Sequence, residues 1–193
     1  MGVYKLSTAG GLATPRTNYS SFLAGNPTVI LTSYESIATN TLTSAQSSIT
    51  FSSFTGYTHL QLRSMCFAVN DDENLYIRFN SDSGSNYARH YLEGNGATAS
   101  ASATAPDTGG VFSNTSNGTS PYVAVCDILD YANTNKNTTI RALSGRDKNG
   151  SGSIALRSSL WLNTAAVTSI TILAGSGNLS SGSQFALYGI KGE

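Results

Sequence analysis

Apolar and polar residues alternate with a period of two over many stretches of this chain, a pattern typical of β-strands that bury one face. Residues 57–69 show it clearly, because the apolar Leu60 and Leu62 are separated by polar residues. Clusters of Gly, Asn, Asp and Ser, which favour turns, separate these stretches. The pattern predicts strands at residues 29–39, 48–54, 57–69, 75–80, 86–92, 122–131, 138–143, 153–162, 167–173 and 184–190. About ten short strands joined by such turns predict an all-β chain folded as an antiparallel β-sandwich of jelly-roll topology.

Two parts of the chain lack this alternation. Residues 1–27 contain paired glycines, Pro15 and Pro27 among isolated apolar residues, so they are predicted to form an extended N-terminal arm. Residues 28–193 form the predicted sandwich domain. Within that domain, the Gly-, Ala-, Ser- and Thr-rich residues 94–120 exceed the roughly 12 to 15 residues usual for a loop in a compact domain. We expect them to form a long surface loop.

Three of the predicted strands, residues 57–69, 75–80 and 86–92, follow one another closely and are expected to pair as antiparallel neighbours. If their more aliphatic faces point inward, their outward face is polar, basic and aromatic. It consists of His59, Gln61, Arg63, Tyr76, Arg78, Tyr87, Arg89 and Tyr91. Tyr and Arg are enriched at the hot spots of interfaces. This face therefore predicts a surface for self-association or for a sugar ligand, or else an exposed amphipathic sheet with cross-strand cation–π pairs.

Composition and charge exclude two classes of partner. The 193 residues include 11 Lys plus Arg and 11 Asp plus Glu, so the formal net charge is zero. Without a dense basic patch, nucleic acid is not an expected partner. No apolar run approaches the roughly 18 residues that a membrane helix needs, and the first ten residues lack the apolar core of a signal peptide. We therefore expect neither nucleic-acid nor membrane binding.

Candidate catalytic residues do not form a recognisable set. The two histidines, His59 and His90, are predicted on opposite faces of the sheet, and no G-x-S-x-G sequence provides a serine nucleophile. Most acidic residues fall in predicted turns, which leaves Glu93 and Asp127 as glycosidase candidates without an evident partner. The sequence therefore predicts no catalytic residues and a protein that is not an enzyme.

Metal and cofactor sites are not indicated either. Zinc would need clustered ligands, whereas the chain has two Cys and two His, widely separated. Residues 147–153 begin like a calcium-binding loop, but the twelfth position is Ser158 in place of the bidentate Glu. Cys66 and Cys126 lie in apolar runs and are expected to be free, buried thiols.

Several segments carry a likeness that goes beyond the strand pattern. They are YTHLQLR at 57–63, LYIRFN at 75–80 with the following SDSGSNY, DILDY at 127–131 and GNLSSGSQFALYGI at 177–190. These segments resemble a family of tailed-bacteriophage virion structural proteins. The likeness covers roughly residues 33–190, and residues 19–26 are also similar to the start of that family.

The resemblance implies a non-enzymatic structural protein of the virion, made in the host cytoplasm, that serves as a head decoration (cement) protein or as a tail or fibre component. It also implies a homotrimer, and no catalytic residue is carried over. We expect the arm, residues 1–27, to attach the domain to capsid or tail proteins. The alternative function is a carbohydrate-binding module that recognises host-surface glycans through Tyr76, Tyr87 and Tyr91. An enzyme that uses Glu93 or Asp127 is the third hypothesis.

Overall fold

The computed structural model describes residues 33–192, and the regular secondary structure of these residues is entirely β-strand. The strands are β1 (Tyr34–Thr41), β2 (Ile49–Ser52), β3 (His59–Cys66), β4 (Asn74–Phe79), β5 (Tyr87–Gly94), β6 (Ala99–Asp107), β7 (Gly110–Asn114), β8 (Tyr122–Leu129), β9 (Thr138–Asp147), β10 (Gly152–Trp161), β11 (Ser169–Ala174) and β12 (Gln184–Ile190). The prediction of an all-β chain is confirmed. The predicted N-terminal arm, residues 1–27, lies outside the described residues.

The strands form two antiparallel sheets that pack against each other. The larger sheet has eight strands in the order β1, β12, β3, β8, β9, β10, β5, β6, and the smaller has four in the order β2, β11, β4, β7. Every strand pairing in both sheets is antiparallel. The predicted antiparallel β-sandwich is therefore confirmed. The jelly-roll topology is not confirmed by this strand order and stays a prediction.

The hydrophobic core lies between the two sheets, on the inward side of the strands. β3 and β4 each bury every second residue, as the alternation predicts. Leu62 on β3 and Ile77 on β4 are fully buried, and full burial of a side chain of this kind contributes about 1.5–3 kcal/mol. The rings of Phe79 and Tyr87 pack against Trp161 at centroid distances of 5.6 and 6.5 Å. These contacts fix the two sheets face to face at one end of the core.

The expected pairing of β3, β4 and β5 as neighbours is wrong. β3 lies between β12 and β8 in the larger sheet, β4 lies in the smaller sheet, and β5 lies between β10 and β6. The alternation of β3 and β4 identifies correctly which face of each strand is buried. It does not say whether two strands that bury a face lie side by side or on opposite sides of the core.

The prediction of a surface loop at residues 94–120 is also wrong, because this segment contains β6 and β7. β6 is exposed along nearly its whole length, whereas β7 is buried at every position. Alternation of hydropathy arises only where one face is buried and the other is solvated. A strand that is solvated on both faces and a strand that is covered on both faces therefore both escape detection.

β7 is held against the larger sheet by a hydrogen-bonded side chain. The Val111 amide donates to Oγ of Ser159, at 3.1 Å, and this hydroxyl donates to the Val111 carbonyl, at 3.2 Å. Ser159 projects inward from β10 and is buried. Since buried backbone groups must find partners, this serine allows the edge of the smaller sheet to be buried.

Candidate functional site

The outer face of the larger sheet, which is turned away from the smaller sheet, is apolar. Eight of the eleven exposed large hydrophobic residues of the described chain are aliphatic side chains on this face. They are Met65, Leu92, Val123, Val125, Leu129, Leu143, Ile154 and Leu156, and they are between 37 % and 60 % exposed. We call this set the apolar face. In antiparallel sheets with one solvated side the outward positions are ordinarily polar, so an apolar outward face requires an explanation.

The strand register gathers seven of these eight side chains into two neighbouring rows that cross the sheet, and Leu129 lies apart from both rows. One row contains Val125, Leu143, Leu156 and Leu92 on β8, β9, β10 and β5. The other row contains Met65, Val123, Gly145, Ile154 and Gly94. Residues directly opposite each other on neighbouring strands have Cβ atoms about 4.5–5.5 Å apart. The apolar side chains therefore form a continuous patch.

Two open depressions flank the contact between Val125 and Leu143. The first, of about 880 Å³, is bordered by Val123, Gly145 and Ile154. The second, of about 1080 Å³, includes Leu92, Leu156 and Arg141 in its lining. Val125 and Leu143 line both depressions. The apolar face thus has a central ridge with a hollow on each side.

A row of polar residues borders the apolar rows. Gln61, Asp127, Arg141, Ser158 and His90 occupy successive strands from β3 to β5 in this row. Gln61 Nε2 donates to Asp127 Oδ1 at 2.8 Å. Arg141 lies directly opposite Asp127 in the register, yet the ion pairs found within residues 33–192 do not include the two. The row therefore presents one carboxylate and one guanidinium side by side.

An aromatic corner closes the face at β1 and β12. The rings of Tyr34 and Tyr188 stack at a centroid distance of 4.9 Å. The guanidinium of Arg63 lies over both rings, at 5.7 and 5.4 Å. The Tyr34 hydroxyl donates to Gln61 Oε1 at 2.7 Å, and burial raises the pKa of Tyr34. Stacking and hydrogen bonding fix these side chains and give the apolar face a rigid polar border.

The structure places the eight sequence-predicted site residues on three different surfaces. His59, Gln61 and Arg63 lie on the outer face of the larger sheet, as the outward side of β3. Tyr76 and Arg78 lie on the outward side of β4 in the smaller sheet. The prediction that all eight residues share one face is therefore wrong.

The remaining three, Tyr87, Arg89 and Tyr91, lie on the inward side of β5. Tyr87 is buried and its hydroxyl accepts a hydrogen bond from the Phe79 amide at 3.0 Å, and burial raises the pKa of Tyr87 to about 12. Arg89 forms an ion pair with Asp107, with Nε 3.2 Å from Oδ2. Both sides of β5 contain apolar atoms, so its alternation does not reveal which side is buried.

This placement also removes the tyrosine platform of the glycan-binding alternative. Tyr76 lies on the smaller sheet, Tyr87 is buried in the core, and Tyr91 lies beneath the buried guanidinium of Arg157 at 5.2 Å. The three rings therefore do not form one surface. Glycan binding elsewhere on the chain stays a prediction.

Glu93 and Asp127, the two glycosidase candidates, lie on opposite sides of the larger sheet. Glu93 projects inward, and its Oε2 lies 3.6 Å from Nη2 of the buried Arg157. The same guanidinium nitrogen donates to Asn114 Oδ1 at 2.8 Å. Asp127 projects outward, where it accepts from Gln61. Two carboxyl groups that cleave a glycosidic bond must lie in one cleft, which this arrangement does not provide.

The two histidines lie on the same outer face, so the prediction that they occupy opposite faces is wrong. His59 Nδ1 accepts from the Asp130 amide at 2.9 Å and lies 3.3 Å from the carboxylate of that residue. His90 lies on β5, on the side of the sheet that also carries Leu92. β3 and β5 are separated by three strands in the sheet, so the two imidazoles do not form one site.

The cysteines are free and buried, as the sequence predicts. Burial raises the pKa of the Cys66 thiol to about 12 and raises the pKa of Cys126 as well. A thiol with a raised pKa carries little thiolate at neutral pH and is a poor nucleophile. Within residues 33–192, no three His, Cys, Asp or Glu side chains are grouped so that they could hold a metal ion.

The sequence of β8 itself indicates that the outward side of this strand is apolar. β8 reads YVAVCDIL, which is apolar on both sides of the strand, and β10 carries Ile154 and Leu156 outward. An antiparallel strand with one solvated side should alternate cleanly, and a nearly continuous apolar run indicates that both sides are covered. Applied to β8, this rule indicates without a structure that the outward side of the strand is covered.

Comparison of the chain with protein-family models, with curated proteins and with solved structures gives no match. The likeness to phage virion structural proteins therefore depends on the sequence segments alone. In the described part of the chain, no helix has the length and apolar character needed to cross a membrane.

Proposed function

We propose that the protein is a non-enzymatic structural protein of a tailed-phage particle, and that it is built into the particle by burying its apolar face against protein. The apolar face is the observation that carries this proposal. The largest apolar patch of a typical monomer exposes roughly 300–600 Å² and is often functional. Seven half-exposed aliphatic side chains in two adjoining rows form a contiguous apolar patch of this kind.

The shape of the apolar face favours a protein partner over a small molecule. Pockets for small ligands are concave and enclose about 70–90 % of the ligand surface, whereas both depressions here are open and lie on the flat side of a sheet. An apolar centre with a polar border is the ordinary anatomy of a protein interface. Here the border is provided by the row that contains Asp127 and Arg141 and by the aromatic corner at Tyr34.

The sandwich is a suitable scaffold for such a role. Five of the eight strands in the larger sheet contribute aliphatic side chains to the apolar face, and side chains on strands are held more rigidly than those on loops. A preorganised surface loses little conformational entropy on assembly. The fold therefore favours attachment through this face.

The place in a phage particle is supported by the resemblance of residues 33–190 to virion structural proteins. Within the proposal, the protein is a head decoration or cement protein, or a tail or fibre component, and residues 1–27 attach it to capsid or tail proteins. The homotrimer that the resemblance also implies stays a prediction and is not part of this proposal. Localisation on the virion follows from this role.

The first test is to count the copies of this chain in purified virions by quantitative mass spectrometry against the major capsid protein. A fixed simple ratio to the capsid subunit is expected of a decoration protein, and a few to a few dozen copies are expected of a tail or fibre part. Absence of the chain from virions would contradict the proposal.

The same virions can test whether the apolar face mediates attachment. Leu156→Asp places a charge in the centre of the face and should lower the copy number at least tenfold, because a buried unpaired carboxylate is costly. Leu162→Asp is the matched control, since Leu162 is 50 % exposed against 58 % for Leu156. It lies beyond the end of β10, about 20 Å farther along the chain at 3.3 Å per residue. Equal incorporation of both variants would contradict attachment through this face.

A further inference from the structure

We infer that the partner on the apolar face is a second copy of this chain, packed face to face about a two-fold axis that runs along the strands between β8 and β9. The inference rests on the proposed function, since it names the partner that covers the same face. The size, the charge and an apolar row of the face each support it.

The size of the face matches a stable interface. From β12 to β6 the larger sheet contains seven strands, which span about 29 Å at 4.8 Å per strand, and the outward residues of β8 extend about 20 Å. This side of the sheet, with the apolar face at its centre, thus measures on the order of 600 Å² in projection, and its corrugated surface exposes more than that. Each partner in an interface of standard size buries about 800 Å². Two such faces are large enough to hold each other.

Charge complementarity favours an identical partner. The proposed axis turns β8 of one copy over β9 of the other, so each row of residues faces the same row of the second copy. Asp127 of each copy then lies opposite Arg141 of the other. Asp127 already accepts from Gln61 through Oδ1, which leaves Oδ2 for the guanidinium of the second copy. Because the net charge of the chain is zero, two copies approach without overall repulsion.

The apolar row that contains Val123 and Ile154 is also self-complementary about this axis. In this row, Val123 of one copy faces Gly145 of the other, and Met65 faces Ile154. Both contacts follow from the pairing of β3 with β8, of β8 with β9 and of β9 with β10. Ile154 is 60 % exposed and stands between Gly145 and Gly94. Val123 thus meets a glycine and Met65 meets Ile154, so apolar atoms contact apolar atoms across the axis.

Charge reversal tests the inference with the full-length chain. Sedimentation equilibrium should show that the wild-type chain is a dimer. Asp127→Arg and Arg141→Asp should each raise the dissociation constant of the dimer roughly tenfold to a hundredfold, because like charges then meet across the axis. A mixture of the two variants should recover a 1:1 heterodimer, since both crossing pairs are then matched. A purely structural effect of either substitution would not be rescued by mixing.

Arg78→Glu, on the smaller sheet, is the control for a change of charge and should leave the dimer intact. Circular dichroism establishes that each variant is folded. A wild-type chain that stays monomeric or forms a trimer would overturn the inference, and so would a dimer that neither charge reversal weakens or that mixing does not restore.

Failure of the inference and failure of the proposed function are distinguishable. If the chain is a monomer in solution but Leu156→Asp is lost from virions, the apolar face binds another particle protein. The proposed function then stands and the inference is wrong. If the rescued heterodimer forms but virions lack the chain, the inference stands and the proposed function is wrong.

Discussion

Ile154 shows at the scale of one residue how the apolar face acquires its relief. Its neighbours across the sheet are Gly145 and Gly94. A Cβ atom on Gly145 would lie 2.9 Å from the Ser153 carbonyl oxygen, so that position excludes a side chain, whereas a Cβ atom on Gly94 would meet nothing within 4 Å. The first glycine is needed for close packing of the strands. The second leaves space beside Ile154, which a partner can fill.

Asp71 contacts the same end of β9 as Gly145 and stabilises the fold through charge. Its carboxylate accepts hydrogen bonds from Arg146 and from Lys148, the latter at 2.9 Å, and from the Asn117 amide at 3.2 Å. The side chain of Arg146 is only 5 % exposed. These bonds, above all the one from Arg146, hold the pKa of Asp71 well below its ordinary value.

The lowered pKa predicts how the stability contributed by Asp71 depends on pH. A carboxyl group whose pKa is lower in the folded state stabilises the fold fully above its unfolded pKa, about 3.9, and loses that effect as the pH falls towards the folded value. Asp71→Asn should therefore lower the free energy of unfolding by about 2 kcal/mol at pH 7. In urea titrations this difference should shrink steadily below pH 4.

Asp147→Asn serves as the control for that measurement. Asp147 is exposed and its Oδ1 accepts from the Asn149 amide, a bond that an asparagine side chain can also accept. A small effect is expected for this variant. If Asp71→Asn destabilises the chain by the same amount at pH 7 and at pH 3, Asp71 does not act through its charge.

At the scale of strands, detection in the sequence depends on how the two sides of each strand are covered. β3 and β4 have one side in the core and one side solvated or polar, and the alternation identifies their buried residues correctly. β6 is exposed on both sides and β7 is buried on both sides, so alternation of hydropathy detects neither strand. β5 alternates, but Tyr87 is the buried residue because its ring packs on Trp161 while its hydroxyl finds backbone partners.

Alternation predicts only part of the candidate site, because it shows which side of a strand is outward but not which strands are neighbours. His59, Gln61 and Arg63 were correctly placed outward on β3. Their neighbours in the sheet come from β8 and β12, which are distant in the chain, and periodicity carries no information on such pairing. The apolar face is therefore a property of the strand order as much as of any single strand.

Two glycines on strands of the larger sheet provide a matched test of this packing. On β12, a Cβ atom at Gly189 would collide with the ring of Tyr57, whose hydroxyl donates to Glu35 at 3.2 Å. Gly189→Ala should therefore lower the free energy of unfolding by about 1–3 kcal/mol. Gly94→Ala should be neutral or stabilise by up to about 1 kcal/mol, since its Cβ meets open space and the unfolded chain loses entropy.

Thermal or urea unfolding of the two variants measures both effects. The substitution is the same in each, so differences in the unfolded state largely cancel. Equal stability of the two variants would contradict the close approach of Tyr57 to β12. Addition of Tyr57→Ala to Gly189→Ala should relieve the collision, which the double variant can verify.

The molecule as a whole is asymmetric, because its two outer faces differ in chemistry. The smaller sheet presents polar side chains outward, such as Thr50 and Thr171, whose hydroxyl groups lie 3.0 Å apart, together with Tyr76 and Arg78. The larger sheet presents the apolar face. Among the described residues, 33–192, the apolar face is therefore the preferred surface for association. The sandwich is thus suited to attach by one side and to leave the other in solvent.

Burial of the apolar face between copies predicts that thermal stability depends on protein concentration. A partner that binds only the folded chain stabilises it in proportion to the logarithm of the partner concentration. For a chain of this length, a hundredfold rise in concentration should raise Tm by a few degrees. Leu143→Asp should abolish that dependence, because its carboxylate would face Val125 of the second copy, whereas Leu162→Asp should keep it. Differential scanning calorimetry over two decades of concentration measures both, and a wild-type Tm that does not change with concentration would contradict a dimer formed through this face.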